Sequence, residues 1–414
     1  MIDLGAGSEM LRAPVIPEPV PLPDGSPSAE NPHAIKMGQT DRKWKVIPFA
    51  GLEISSTDNL FISATKRQSD FFATFSPGLA FGLGDYDGEI RQLGSYEHHF
   101  EPLELDPDDL AKNFIFARYN VNAFFYDKNT DQNSVNHDAL ISGRWEGAKL
   151  TIGARFYYQT LSDIDIEVGN RVDRTVYGGE LSSKYSFGGK TSIEFNLSNQ
   201  SYDYAKQLSW HQWMVEDWLN YQVLPKTKVS LGTRFGSVNV EYYPTQTFEQ
   251  LVGRVDYFPS PKVGFSLNGG VEWRQLGGAG ADAVIGVFNF TGTYLPFDGT
   301  LMAVTAYRRN TASILLSDAN ITATGFSILV RQRFLQRYFF AVEGGYEDAD
   351  YRSRQAGAGS DRQDRTTYIK SGMSCDVTKN LSAEFAYQHR RNDSSSANLS
   401  FTENVFTFLF KLRF

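Results

Sequence analysis

The sequence predicts an all-β fold, a transmembrane antiparallel up-and-down β-barrel of about eighteen strands, on three observations. Its last residues alternate: Phe406, Phe408, Phe410, Leu412 and Phe414 share one parity, and Thr407, Leu409, Lys411 and Arg413 the other. A period of two gives a strand one apolar face and one polar face. Aromatic residues make up 14% of the 414-residue chain, yet no apolar run approaches the roughly 18 residues that a membrane helix needs. A barrel reconciles the two, because only alternate residues meet lipid and the lumen is wet. Finally, short turns and longer polar loops alternate along the chain, as hairpins opening at two different rims require.

Residues 1–43 hold no Phe, Tyr or Trp, and seven prolines fall between Pro14 and Pro32. Such a segment buries too little apolar surface to offset its ordering entropy, so a disordered, Pro-rich periplasmic tail is expected. The barrel is expected over 44–414. Trp44 to Ser55 and Phe71 to Phe81 read as the first two strands, joined by a polar loop from Thr57 to Asp70. Residues 86–113 break the rhythm. There Asp106-Pro107-Asp108-Asp109 has the Asp cap and the proline of a helix start. Beside it His98, His99, Glu101 and Glu104 could ligate a metal; a solvated, acidic periplasmic excursion is the reading adopted.

From Phe114 the alternation is regular. Leu150, Ile152, Ala154, Phe156 and Tyr158 oppose Thr151, Arg155, Tyr157 and Gln159; Ile193, Phe195 and Leu197 oppose Glu194 and Asn196; Val263, Phe265, Leu267 and Trp273 oppose Ser266, Glu272 and Arg274. Phe326, Ile328 and Val330 oppose Ser327 and Arg331 in the same way, and Tyr338, Phe340 and Val342 oppose Glu343. Short turns are expected at Glu146–Lys149, Gly188–Lys190, Pro225–Thr227, Pro259–Lys262, Asp298-Gly299, Gln336-Arg337 and Lys379-Asn380. Long loops are expected at Asp127–Asn136, Leu161–Asp173, Gly277–Asp282, Ser353–Thr366 and Asp393–Asn398. Counting back from Phe414 with both termini periplasmic gives about eighteen strands if 86–113 is an excursion, with sixteen the second choice.

The net charge of −8 argues against nucleic acid as a partner. Cys375, the single cysteine, can form no internal disulfide and reads as a small strand residue. No cofactor motif is present. Met1 is followed by neither a basic region nor an apolar core, so the leader that export requires is expected to have been removed or to lie upstream.

The terminal strand also resembles the assembly signal of Gram-negative outer-membrane barrels, with Phe408, Phe410, Leu412 and Phe414 matching position by position. That resemblance implies a bacterial outer-membrane location and, as partners, the barrel-assembly machinery together with outer-membrane lipid and lipopolysaccharide. Two further stretches carry a finer likeness: Thr57-Asp58-Asn59-Leu60-Phe61, Arg67-Gln68-Ser69-Asp70-Phe71 and Ser76-Pro77-Gly78-Leu79; and Trp218-Leu219-Asn220-Tyr221-Gln222-Val223-Leu224-Pro225-Lys226-Thr227. Over Trp44 to Phe414 they resemble the β-barrel porin 2 family, met beside exopolysaccharide loci. The likeness implies polysaccharide or periplasmic export components as partners and no catalytic residues. The Pro-rich tail and the 86–113 stretch depart from it.

Strand-borne charges are expected to face the lumen, since Arg or Lys on the lipid face costs roughly 2–4 kcal/mol at mid-membrane. They are Arg155, Glu194, Arg234, Arg254, Asp256, Glu272, Arg274, Arg331, Arg333, Glu343 and Glu384, with Lys411 and Arg413 beside them. They either keep the interior polar by mutual pairing or set a selectivity field along a pore. Tyr157 on the same face could open a sugar-stacking track. Asp163, Asp165 and Glu167 could bind a hard cation in a loop, or form an ordinary acidic loop. His137, His211 and His389 sit in no catalytic motif, so an enzyme is not expected. The function predicted is a channel for passive passage of hydrophilic solutes, with polysaccharide export implied by the resemblance alone. A non-conducting scaffold barrel is the alternative, and an outer-membrane hydrolase the more remote one.

Overall fold

The computed structural model describes residues 44–84, 113–275, 282–313, 319–335, 337–353 and 362–414. They form eighteen antiparallel strands in a single sheet. The first six are β1 (Trp44–Thr57), β2 (Asp70–Gly84), β3 (Phe114–Tyr126), β4 (Ser134–Glu146), β5 (Leu150–Asp165) and β6 (Asn170–Ser186). The next six are β7 (Thr191–Tyr204), β8 (Trp210–Leu224), β9 (Thr227–Val240), β10 (Gln246–Ser260), β11 (Val263–Gln275) and β12 (Ala283–Tyr294). The last six are β13 (Thr300–Ala312), β14 (Ala319–Phe334), β15 (Tyr338–Ser353), β16 (Arg362–Asp376), β17 (Leu381–Ser394) and β18 (Phe401–Arg413). Every strand pairs with its sequence neighbours, and β1 pairs with β18 from Phe49↔Arg413 to Thr57↔Val405. The two ends of the sheet join, so no strand is left unpaired along its whole length. The count is eighteen rather than sixteen.

Period-two patterning decides which face points where. In β18, Phe406, Phe408 and Phe410 are exposed while Val405, Thr407 and Leu409 are buried. In β10, Leu251, Val255 and Tyr257 are exposed while Val252, Arg254 and Asp256 are buried. The outward set makes an apolar belt that includes Phe195, Leu231, Leu267, Ile328 and Phe340. Aromatics finish the belt near the rim that carries Trp44 and Phe414, the terminal rim: Trp145, Tyr185, Tyr221, Tyr257, Tyr294 and Tyr338 all stand outward there. Such a girdle suits a membrane–water boundary. Strands run from 12 to 17 residues, longer than the roughly 9–11 that cross a bilayer. The surplus projects at the opposite, distal rim, where outward positions turn to the ion pairs Arg365–Asp348 and Arg391–Asp393. This is a transmembrane β-barrel.

Gly84 pairs with Phe114, so β2 ends and β3 begins side by side at the terminal rim. Gly84 has φ +83°, a left-handed conformation that favours glycine at this strand end. The helix start at Asp106, His98, His99, Glu101 and Glu104 fall outside the described residues, as do residues 1–43.

The loops expected at the distal rim are shorter than the sequence pattern suggested. β4 already begins at Ser134, β15 runs to Ser353, β16 begins at Arg362 and β17 runs to Ser394. The largest correction concerns Leu161–Asp173, which is not a loop: β5 and β6 pair without interruption up to Asp165↔Asn170. β4 leaves β5 after Asp138↔Gln159, and β6 meets β7 only from Arg174↔Tyr204. Residues 161–172 therefore form a two-stranded tip detached from the wall on both sides. Neighbouring residues such as Asp163 and Ile164 are both buried, so the in–out alternation that identifies a wall strand is lost there.

Candidate functional site

The β5–β6 tip folds into the barrel mouth. On one side Ile164 packs with Ile62 and Phe401, joined by Ile166. Arg171 lies over the Tyr126 ring at 5.0 Å and donates through Nη2 to the Ser162 carbonyl at 2.6 Å. On the other side the Arg174 guanidinium meets Asp163 at 2.9 Å and Asp165 at 3.8 Å. Glu167, at the turn, accepts a hydrogen bond from the Ser313 hydroxyl beyond β13. Arg362 of β16 donates to the carbonyls of Glu167 and Ile166 at 2.8 and 3.3 Å. β13 stands eight strands around the ring of eighteen from β5, so the tip reaches the opposite wall.

The β1–β2 connection folds inward beside it. Asn59, fully buried, accepts from the Ser63 amide at 2.9 Å and donates to the carbonyls of Ser63 and Thr402, each at 3.0 Å. These bonds hold Ile62 at φ 44°, a conformation costly for a β-branched residue and kept only where the surroundings enforce it. Leu60 packs under Phe72, Phe124 and Tyr126. At the same level Arg390 meets Glu403 at 2.8 Å and covers Phe401 at 4.9 Å. Above the tip a polar cleft of about 750 Å³ remains, bordered by Lys66, Gln68, Asp131, Asn133, Asn170 and Arg171 among others.

Below the mouth, the inner wall from β7 to β13 carries a connected polar network. Arg254 reaches Glu194 at 2.9 Å and Asn220 Oδ1 at 2.7 Å, with its guanidinium 4.4 Å from the Trp218 ring centre. Asp256 takes Lys228 at 3.4 Å and the Ser266 hydroxyl at 2.6 Å. Arg234 pairs with Glu216 and donates to Gln250 at 3.2 Å; Gln250 donates to Glu272 at 2.6 Å; Arg274 donates to Glu272 at 2.7 Å. Low local dielectric strengthens such charge-assisted contacts, and each partner answers the other's burial.

The remaining inward charges are spread round the ring. Glu343 accepts from the Tyr368 hydroxyl at 2.7 Å, Glu384 lies 3.9 Å from Lys411, and Arg331 sits 5.0 Å from the Phe339 ring centre. Arg333 meets Asp298 at 3.5 Å near the terminal rim, where Arg413 also lies on the inner face. Arg155 is on the inner face of β5 with no ion pair among the described residues. Tyr157, two residues on, packs between two apolar clusters of the inner wall. Phe408, Phe410 and Phe414 face outward.

The acidic trio is corrected too. Asp163 and Asp165 belong to β5 and face Arg174, a cation already in place. Among the described residues no group of three or more His, Cys, Asp or Glu is arranged to hold a metal ion. His137, His211 and His389 all stand on outward positions, on three separate strands; His137 meets the Tyr119 hydroxyl and His389 the Asn404 side chain, each at 2.8 Å. Cys375 is half-buried on β16, opposite Tyr338.

Sequence reasoning missed Arg174, Arg362, Arg390 and Glu403. Arg390 shares its parity with Glu384, and Glu403 with Lys411, so extending the alternation up β17 and β18 would have placed both inward. It also missed what its own motifs do. Asn59 anchors the first inward fold, and Trp218 and Asn220 receive Arg254.

Fold and interior together define a membrane-spanning barrel with a folded-in mouth and a charged inner wall. No family profile matches the chain, and no curated protein does. Among solved structures the chain is similar to OccK2 (OpdF) of Pseudomonas aeruginosa, at 9% identity over 89% of this chain and 98% of that one, with a TM-score of 0.49. It is similar to OccAB3 of Acinetobacter baumannii at 10% identity, over 90% and 99%, with a TM-score of 0.47. The outer membrane protein opdK of Pseudomonas aeruginosa follows at 12% identity, over 89% and 99%, with a TM-score of 0.46. At such identities the likeness is one of architecture.

Proposed function

We propose that this protein is a bacterial outer-membrane channel for the passive passage of hydrophilic solutes, narrowed by the β5–β6 tip, with the terminal rim facing the periplasm. The observation that carries the reading is the inner wall: charges of both signs, from Glu194 and Arg254 to Glu272 and Arg274, line a closed barrel whose outer face is apolar. Barrels of about this strand number are wide enough for water unless something fills them. Mixed charge suits a neutral or mildly charged hydrophilic solute better than a strongly selective anion pore. In this reading Arg155, Arg234, Asp256, Arg331, Arg333, Glu343 and Glu384 belong to the pore lining. Phe408, Phe410, Leu412 and Phe414 are the signal read by the assembly machinery. The finer reading, export of an exopolysaccharide, rests on the sequence resemblance at Thr57–Phe61 and Trp218–Thr227.

Planar-bilayer recording of the purified barrel tests this. Discrete conductance steps are expected, and their block by oligosaccharides would favour the finer reading. A silent bilayer with folded protein would refute the channel. One observation favours a second reading, a plugged scaffold: the tip is tied to the far wall through Ser313 and Arg362. A scaffold stays silent with the tip in place.

A further inference from the structure

The wall is not evenly hydrogen-bonded. β12 and β13 pair only from Phe288↔Arg308 to Tyr294↔Met302. Toward the distal rim, Ala283–Val287 continue their ladder with β11, and Arg309–Ala312 theirs with β14, but the two edges do not pair with each other. The β13 side inclines inward there, as Ser313 meets Glu167 across the mouth. A gap about four residues long, roughly 13 Å at strand rise, is left in the barrel wall. Val284 is 68% exposed.

The foot of the gap, at Phe288, borders the outward apolar belt. Val284 pairs with Trp273, an outward, exposed aromatic on β11. Unpaired strand edges facing hydrocarbon are costly, so barrels rarely leave them. The chemistry on the two sides of the gap differs. Outside stand Val284 and Phe288, with exposed Arg308 at the foot of the gap. Inside, the Glu272–Arg274 pair of β11 reaches past β12: Asn310 Nδ2 donates to Glu272 Oε1 at 3.1 Å, and Arg274 Nη2 donates to the Asn310 carbonyl at 3.5 Å.

We propose that the β12–β13 gap is a lateral port that takes an amphiphile with an anionic head and an apolar chain, the head held by the exposed Arg308 cation and the chain lying against Val284 and Phe288 in the bilayer. This port is separate from axial passage: its polar groups lie at one seam, and its apolar contacts face lipid.

The test uses the full chain in liposomes, with 11-(dansylamino)undecanoate as the long-chain probe and dansylglycine as its chainless control. Energy transfer to the long-chain probe is expected to fall more in Trp273→Phe than in Trp145→Phe, an equally exposed tryptophan on β4 away from the gap, and to be absent for dansylglycine. In a Cys375→Ser background, Ile285→Cys with Thr311→Cys puts two thiols where a continued ladder would pair them. Oxidation should close the gap and weaken probe binding about tenfold, some 1.4 kcal/mol, and reduction should restore it. If that variant does not fold, Arg308→Glu, a change at an exposed position, should weaken binding of the anionic probe with folding intact. Equal transfer to both probes, or binding indifferent to the closed seam and to Arg308→Glu, would overturn the port. Neither result bears on bilayer conductance, so the port and the channel stand or fall separately.

Discussion

Arg390→Ala tests whether the wall beside the tip is dry. Arg390 and Glu403 are each 1% exposed and sit 2.8 Å apart. Truncating Arg390 leaves the Glu403 carboxylate with the Thr57 hydroxyl, at 3.1 Å, as its remaining hydrogen-bond donor of those described here. A neutral hydrogen bond contributes about 1 kcal/mol net, whereas breaking a buried ion pair by removing one partner costs about 3–5 kcal/mol. The loss of the guanidinium over Phe401 adds to this. The expected destabilisation is therefore about 3–5 kcal/mol, far above the 0.2–1 kcal/mol of an exposed pair. Urea unfolding of the refolded barrel in micelles, followed by tryptophan fluorescence and by gel mobility, reads the change. Replacing both partners, Arg390→Met with Glu403→Leu, should recover most of the loss, because no uncompensated charge then stays buried. A single variant that loses less than about 1 kcal/mol would mean that water solvates the pair. The reasoning that the wall around Arg390 and Glu403 is dry would then fail.

Other consequences can be checked more briefly. Replacing residues 162–172 by a short Gly-Ser link should raise single-channel conductance severalfold in planar bilayers; an unchanged value would remove the tip as the constriction. Gly78→Val should destabilise the barrel by about 1–3 kcal/mol through overpacking, since a Cβ there would lie 2.2 Å from the Phe49 ring and 2.8 Å from Asn120; equal urea midpoints would contradict that. Phe414→Ser should lower the amount of folded barrel reaching the outer membrane severalfold, measured by heat-modifiable gel mobility in membrane fractions; normal accumulation would reduce the terminal aromatics to packing. Removal of residues 1–43 should leave the melting temperature of the barrel unchanged by circular dichroism, and a clear drop would show that the tail supports the wall.

The wall was legible because each wall strand solves one problem, lipid outside and polar contacts inside, and period two writes that solution directly into β11, β14 and β18. The mouth was not, for the opposite reason. Around Asp163 and Ile164 both faces of the hairpin are enclosed, so polar and apolar residues stand side by side without rhythm and the stretch reads as a loop. Inward charges such as Glu272 and Arg274 could be found by parity, but their partners could not. Asn310 answers Arg274 only because β12 and β13 part company, and Arg362 meets Glu167 only because the tip crosses the mouth. Those are facts of tertiary geometry. The partial ladder between β12 and β13 likewise leaves no compositional trace.

The joint between β1 and β18 has a consequence for how the molecule comes into being. The Ser55 and Thr407 hydroxyls lie 3.0 Å apart in space and 352 residues apart along the chain. Hairpins can form as local events, but this joint closes the longest loop the barrel contains, and the entropy of closure must be met before its contacts exist. Ring completion is thus the last step and an all-or-none one. A chain stopped anywhere before β18 keeps two naked strand edges, each a template for another chain. Such fragments have no stable monomeric form to rest in, so an interrupted product is bound for self-association rather than for a smaller working barrel.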